Sequence, residues 1–305
     1  RDRAWPQPHP SFCVWRRAYP TAVRFAAAVR LASFRIEGRR DLADMHIIVL
    51  GARGSIPVSG PEYLVYGGNT TCFALVSNGR VAAFIDAGTG MAAYRTFGLT
   101  LMPAIDVFLT HYHLDHIQGL SMLDELWSGG CDVRLFGPGE PGPILERAIS
   151  PPLFPVSVAS DAALVCSTME GEVEVAGCRI SSFPVNHPQS AIGYRIDGPS
   201  RSIAIITDHE AGTEIDDAIL AAVQGVDLIV HDAQYVVDER ESHRGWGHST
   251  FEDAVALIRD ADVPDLLLTS HDPRRTDEAM EAIVKRVRTL HPATDAVRQG
   301  MEIAL

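Results

Sequence analysis

His111-Tyr112-His113-Leu114-Asp115-His116 packs three imidazoles and one carboxylate into six residues, directly after the mainly apolar run Ile105-Asp106-Val107-Phe108-Leu109-Thr110. In an extended segment, residues two apart face the same way, so His111 and His113 can hold one cation through ring nitrogen. A turn into a helix from residue 116 then aims Asp115 and His116 at a second position. That arrangement asks for two metals.

Other apolar runs end on the same kind of residue. Ser202-Ile203-Ala204-Ile205-Ile206-Thr207 leads into Asp208, Asp227-Leu228-Ile229-Val230 into His231-Asp232, and Asp265-Leu266-Leu267-Leu268-Thr269-Ser270 into His271. In open α/β sheets the carboxyl ends of parallel strands share one edge, so these distant residues can converge. Each metal needs roughly three or four protein ligands and an exchangeable water. The reading assigns His111, His113 and His187 to the first metal, Asp115, His116 and His271 to the second, and Asp208 as the bridge between them. Zinc suits these ligands, and manganese or iron remain compatible because imidazole and carboxylate discriminate weakly among first-row ions. Taken singly, His111 or His271 reads as a hydrogen-bonded core histidine and Asp208 as a turn cap. Their joint order carries the assignment.

Composition narrows the class. A chain of 305 residues with 46% hydrophobic and 21% charged positions buries one large core, which excludes a disordered or fibrous protein. Arg24 and Arg30 interrupt the most apolar N-terminal stretch, so neither a membrane span of ~18 residues nor a secretory core is expected. Five cysteines without a C-x-x-C pair suggest no disulfide framework and no thiolate zinc site, which fits a reducing cytoplasm. Residues 1–44 carry nine Arg against four acidic residues, while the remainder has 17 basic and 35 acidic. A body this acidic lacks the broad basic surface that long nucleic acids require, so a small substrate is expected.

Residues 1–44 are rich in Arg, Pro and Ala and show no sustained period, and Met45 reads as the real start. The upstream segment is expected to be an over-extended gene reading or a loosely held appendage, with a targeting peptide as the lesser alternative, and residues 45–305 are expected to form a single domain. Within it, strands are expected at 46–50, 71–76, 81–85, 105–110, 173–183, 191–196, 202–207, 226–230 and 265–269. Helical spacing falls at 116–127, 143–149, 214–223, 250–260 and 276–290, with Ser249 or Thr250 as the N-cap of the fourth. The Pro-rich stretch 137–155 is a candidate loop or lid.

With these residues in hand, the sequence resembles the metallo-β-lactamase superfamily, whose H-x-H-x-D-H signature is matched at all four defining positions from His111 to His116. The resemblance extends to Phe84-Ile85-Asp86-Ala87-Gly88, Asn186-His187-Pro188, Thr207-Asp208 and Ser270-His271-Asp272, and so covers almost all of 45–305. It implies an αββα four-layer sandwich with the site at one edge, and dimerisation. Asp86 is expected to support the neighbouring loop and not to ligate.

His231-Asp232-Ala233-Gln234-Tyr235 and Gly245-Trp246-Gly247-His248-Ser249-Thr250 are similar to the ribonuclease Z branch, which pairs an acid with a histidine near the scissile phosphate. By that analogy Asp232 orients His248, which hydrogen-bonds a phosphate oxygen or protonates the leaving oxygen. Ser249, at a helix N-terminus, is expected to help bind the anion, and Arg53 is a weaker candidate phosphate contact. Two features depart from that branch. Only twenty residues separate His187 from Asp208, where transfer-RNA-binding members carry a long arm, and Asp232 stands where Glu is usual. Two divalent cations, two carboxylates and a shared hydroxide leave about +1 in the pocket, which matches a phosphodiester monoanion. The expected activity is hydrolysis of a small phosphodiester such as a cyclic nucleotide, with Asp115, Asp208, Asp232 and His248 as the catalytic residues. A thioester or lactone hydrolase like glyoxalase II shares the same ligand types and needs the Asp232 and His248 pair less. A noncatalytic binding module on the same fold is disfavoured by the completeness of the ligand set.

Overall fold

Along β1 (Met45–Gly51), Ile47 and Val49 point one way, Ile48 and Leu50 the other, and all four are buried. A strand apolar on both faces must be covered on both. The covering layers account for the whole architecture. The computed structural model describes residues 45–158 and 164–305, and the expectation for 1–44 lies outside the described residues.

After β1 come β2 (Cys72–Ser77), β3 (Arg80–Ile85) and β4 (Thr100–Phe108), then α1 (Leu114–Ile117), α2 (Asp124–Ser128), β5 (Asp132–Gly137) and α3 (Pro141–Ala148). The chain continues through β6 (Leu164–Thr168), β7 (Glu172–Val175), β8 (Cys178–Val185), β9 (Ala191–Asp197) and β10 (Ser202–Ile206). It closes with α4 (Ile215–Val223), β11 (Leu228–Asp232), α5 (Phe251–Asp260), β12 (Asp265–Thr269), α6 (Asp277–Leu290), β13 (Thr294–Ala296) and β14 (Glu302–Ala304).

The described residues form two seven-stranded sheets, in the orders β14-β1-β2-β3-β4-β5-β6 and β13-β12-β11-β10-β9-β8-β7. Ile47, Val49, Phe73 and Ile85 of the first sheet meet Tyr194, Ile203, Ile205 and Val230 of the second in a core between them. On the outer face of the first sheet, Ile48, Leu50 and Val107 pack with Leu126 of α2 and Leu145 of α3. On the outer face of the second, Ile206 and Ile229 pack with Ile219, Val255 and Val284 of α4, α5 and α6. This is the αββα sandwich that the sequence implied.

Parallel pairing sets the edge that matters. In the second sheet Ile206 lies opposite His231 and Asp232 opposite Thr269, so Asp208, Asp232 and His271 all emerge from one end of β10, β11 and β12. In the first sheet β3 and β4 are parallel too, with Ile85 beside Phe108, which puts Asp86 and Thr110 at the corresponding end. Arg53, just beyond β1, forms backbone bridges to both Thr70 and His271 and so stitches the sheets together at this edge.

Two expectations fail for local reasons. The apolar run 173–183 is a hairpin, because Ala176 and Gly177 take φ of 52° and 90° and reverse the chain between β7 and β8. The expected helix 116–127 breaks into α1, a 3-10 turn at Gln118–Met122 and α2. Gly119 donates its amide to Ala87 O at 2.7 Å, and a Cβ there would sit 2.1 Å from Gly88 O, so the segment is pinned to the loop after β3. No helix among the described residues is long and apolar enough to cross a membrane.

Candidate metal centre

The loop after β3 organises the densest cluster through Asp86, a fully buried residue at φ 57°. Its Oδ1 accepts the Thr110 amide at 2.8 Å and the Thr110 hydroxyl at 2.9 Å, and its Oδ2 accepts Nδ1–H of His116 at 2.8 Å. Asp86 therefore supports and does not point at the pocket, as the sequence suggested. Because the Thr110 hydroxyl proton goes to Asp86, its oxygen accepts from His111 Nδ1 at 3.0 Å.

The same logic fixes the other rings. His113 Nε2 meets Gln189 Oε1 at 2.8 Å, His187 Nδ1 meets the Gly247 carbonyl at 2.7 Å, and His271 Nε2 meets the Val297 carbonyl at 2.9 Å. In every case one ring nitrogen donates to an oxygen, so the other keeps its lone pair. Gly247 is at φ 86°, and a Cβ on it would lie 2.2 Å from His187 Nδ1, so only glycine permits this contact. Glu210 holds that loop by accepting the Gly245 and Gly247 amides.

These lone pairs converge. His113 Nδ1 lies 3.0 Å from both His111 Nε2 and His187 Nε2, with no proton left to place between them. A tetrahedral ion with bonds near 2.0–2.1 Å spaces its nitrogens by about 3.3 Å, so the trio fits a metal. Asp208 Oδ2 sits 3.7 Å from His111 Nε2 and from His187 Nε2, and 3.4 Å from His116 Nε2. His116 Nε2 is also 3.3 Å from Asp115 Oδ2. Two of the ring nitrogens, His116 Nε2 and His271 Nδ1, are buried with no hydrogen-bond partner. Both are orphans that a bound cation would satisfy.

The charge balance agrees. Burial opposes charge on His116, yet Asp208, Asp86 and Asp115 outweigh it and hold the ring well above its ordinary pKa. A pocket whose carboxylates favour positive charge on a buried imidazole is one that a cation would suit. Burial pulls His111 well below its usual value, and it pulls His271 to about 3, with Arg53 pushing the same way. Both rings are therefore neutral and ready to ligate.

His111, His113 and His187 form one group, His111, His116 and Asp208 a second, and His187 and Asp208 with His248 a third, while Asp115 borders the second through His116. His271 belongs to none of these groups. It enters through its orphaned Nδ1 and its place at the end of β12, beside Ser270, whose hydroxyl lies 3.4 Å from Asp208 Oδ1.

Next to this cluster, His248 Nδ1 meets Asp232 Oδ2 at 2.9 Å while His248 Nε2 lies 3.9 Å from Asp208 Oδ2. Asp232 is fully buried and also accepts the amides of His209, Gln234 and Ser249. The shorter side chain at 232 thus still reaches its histidine. Burial works against charge on His248, but Asp232 and Asp208 lift the group to about 9.

Two expected contacts are corrected. Ser249 is 1% exposed, donates its hydroxyl to the His209 carbonyl and gives its amide to Asp232, so nothing is left for an anion. The N-cap of α5 is Thr250, whose own amide goes to Asp253. Arg53 is fully buried and donates to the carbonyls of Gly67, Asp272 and Arg275, a structural role. Thr110, Gln189 and Gly247 went unnoticed in the sequence. A donor or carbonyl that positions a ligand from behind has no spacing rule to reveal it.

The beta-lactamase superfamily domain pattern matches residues 83–271, more than half of the chain. A ribonuclease Z of Lachnospira eligens is 26% identical over 312 residues, covering 86% of this chain and 98% of that protein. Among solved structures, a diphosphatase of the PhnP family aligns with a TM-score of 0.65 and 18% identity, covering 86% of this chain and 98% of the other. The short form of human tRNase Z aligns with a TM-score of 0.59 and 18% identity, covering 85% and 99%. Those two likenesses speak for the fold alone, but together with the family pattern and the sequence relative they agree with the geometry: the chain belongs to the metallo-β-lactamase superfamily of metal-dependent hydrolases, near the ribonuclease Z branch.

Proposed function

We propose that the protein is a phosphodiesterase that holds two divalent metals, zinc in the first instance, and cleaves a small phosphodiester such as a cyclic nucleotide or related cyclic phosphate. The ligands are His111, His113 and His187 on one side, Asp115, His116 and His271 on the other, and Asp208 between. When bound, such a pair supplies Lewis acidity and lowers the pKa of a shared water. The observation that carries the reading is the Asp232 and His248 pair at the edge of the cluster. Asp232 fixes the ring by taking Nδ1–H, which leaves Nε2 facing the pocket. From there His248 donates to a phosphate oxygen or to the departing alkoxide, a poor leaving group that needs a proton.

Size selection follows from chain economy. Between His187 and Asp208 the chain is spent on β9 and β10, two core strands, so this interval holds no projecting arm. The acidic balance of residues 45–305 points the same way, toward a small anion and not a long polyanion. A diphosphatase of the PhnP family shares this fold. A cytoplasmic setting and homodimeric assembly complete the proposal.

The test is a parallel assay of the metal-loaded protein on a bis-aryl phosphate, 2′,3′- and 3′,5′-cyclic nucleotides, precursor transfer RNA, lactoylglutathione and a chromogenic lactam. Turnover of the cyclic or aryl diesters is expected. Turnover confined to lactoylglutathione would replace this reading with the glyoxalase-like one, and processing of the RNA would overturn the size argument.

A further inference from the structure

Behind the Asp232 and His248 pair, between α4 and α5, lies a cavity of about 250 Å³ that the proposed reaction does not use. Its walls are half apolar, from Ile219, Leu220, Ala256 and Leu257. Its charged lining is entirely acidic: Asp216, Asp217, Asp253 and Asp260, with no Lys or Arg. Asp253 is paired with Arg240, and Asp216 accepts the Gly212 amide at 2.7 Å. Asp217 and Asp260 make no ion pair among the described residues.

Two buried histidines form the floor. His231 is 1% exposed, and its Nδ1–H donates to the Asp232 carbonyl at 2.7 Å, so Nε2 is a lone-pair acceptor with no hydrogen-bond partner among the described residues. His209 is 3% exposed and accepts the Asn186 amide at Nδ1, so its Nε2–H faces Asp216 Oδ1 at 3.5 Å. An unpaired acceptor under a ring of carboxylates calls for a ligand that brings donors and positive charge. The donors do not converge tightly enough to make one of the metal-holding groups among the described residues, so a bare ion does not fit. A cation with a body does.

We infer that this cavity binds a primary ammonium carried on a short apolar frame, with the ammonium donating to His231 Nε2 and the carboxylates and the frame lying on Ile219, Leu220 and Leu257. The inference is independent of the proposed reaction, because its readout is binding alone. Calorimetric titration of the metal-loaded full-length protein with cyclohexylammonium chloride, and with cyclohexanol as the uncharged counterpart, tests it. The expected result is saturable binding of the ammonium about tenfold tighter than of the alcohol. Ala256→Trp, which fills the cavity from its rim, should abolish that binding, and the double variant Asp217→Asn with Asp260→Asn should weaken it several-fold, both with parental metal content. Equal affinity for alcohol and ammonium overturns the charged recognition. Undiminished ammonium binding in a folded Ala256→Trp protein overturns the site.

Discussion

The first sheet delivers its site residues from one six-residue segment after β4, whereas the second delivers His187, Asp208, Asp232 and His271 singly, at or just beyond the ends of β8, β10, β11 and β12. The two halves are therefore held in place by different means. Asp86 anchors the first half locally, touching Thr110 and His116 and reaching His111 through Thr110. The second half depends on parallel register, which no single side chain controls. One hub can be removed by mutation, whereas a register is lost only with the sheet.

The largest effect is expected where the halves meet. Asp208→Ala removes the oxygen that faces His111, His116 and His187, and elemental analysis should find both metals depleted with turnover lost beyond the roughly 10–100-fold typical of an outer partner. Near-stoichiometric metal in that variant would show that the halves bind independently. His248→Ala comes next: metal content stays, and kcat falls by about 10²–10⁴-fold, less steeply on an aryl diester whose leaving group needs no proton. An equal fall on both substrates would deny the proton-donor role.

Asp86→Asn should cost about 10–100-fold in metal affinity, because Asn keeps the shape but cannot serve Thr110 and His116 together. Gln189→Ala frees only His113, and its loss should stay at or below about tenfold, measured by chelator competition. If the Gln189 variant fell further than the Asp86 one, the hub argument would fail. Arg53→Lys should leave KM unchanged and lower stability on the order of 2 kcal/mol in denaturant titration, since lysine cannot serve three separate carbonyls.

The same contrast explains what the sequence disclosed. The segment from His111 to His116 is legible because its spacing is local, and the strand-end residues were legible because each closes an apolar run. β12 matched its expected 265–269, and β10 and α5 differed only at their ends. By contrast β5, β6, β13 and β14 were missed: β5 and β6 carry exposed polar and charged positions, and β13 and β14 are three residues long, too short for a period to register. Ser249 and Arg53 misled for a related reason. Their types suit an anion, but which way they turn is decided by Asp232, His209 and the carbonyls around them, partners that lie far away in sequence.

The short loop at 245–248 has an evolutionary consequence. One of its carbonyls steadies the proposed ligand His187 and its final residue is the proposed proton donor, while Glu210 clamps its amides. Drift there would disturb ion retention and proton delivery at once, and even Trp246, 61% exposed between two glycines, is linked through the His243 and Tyr235 rings to His248.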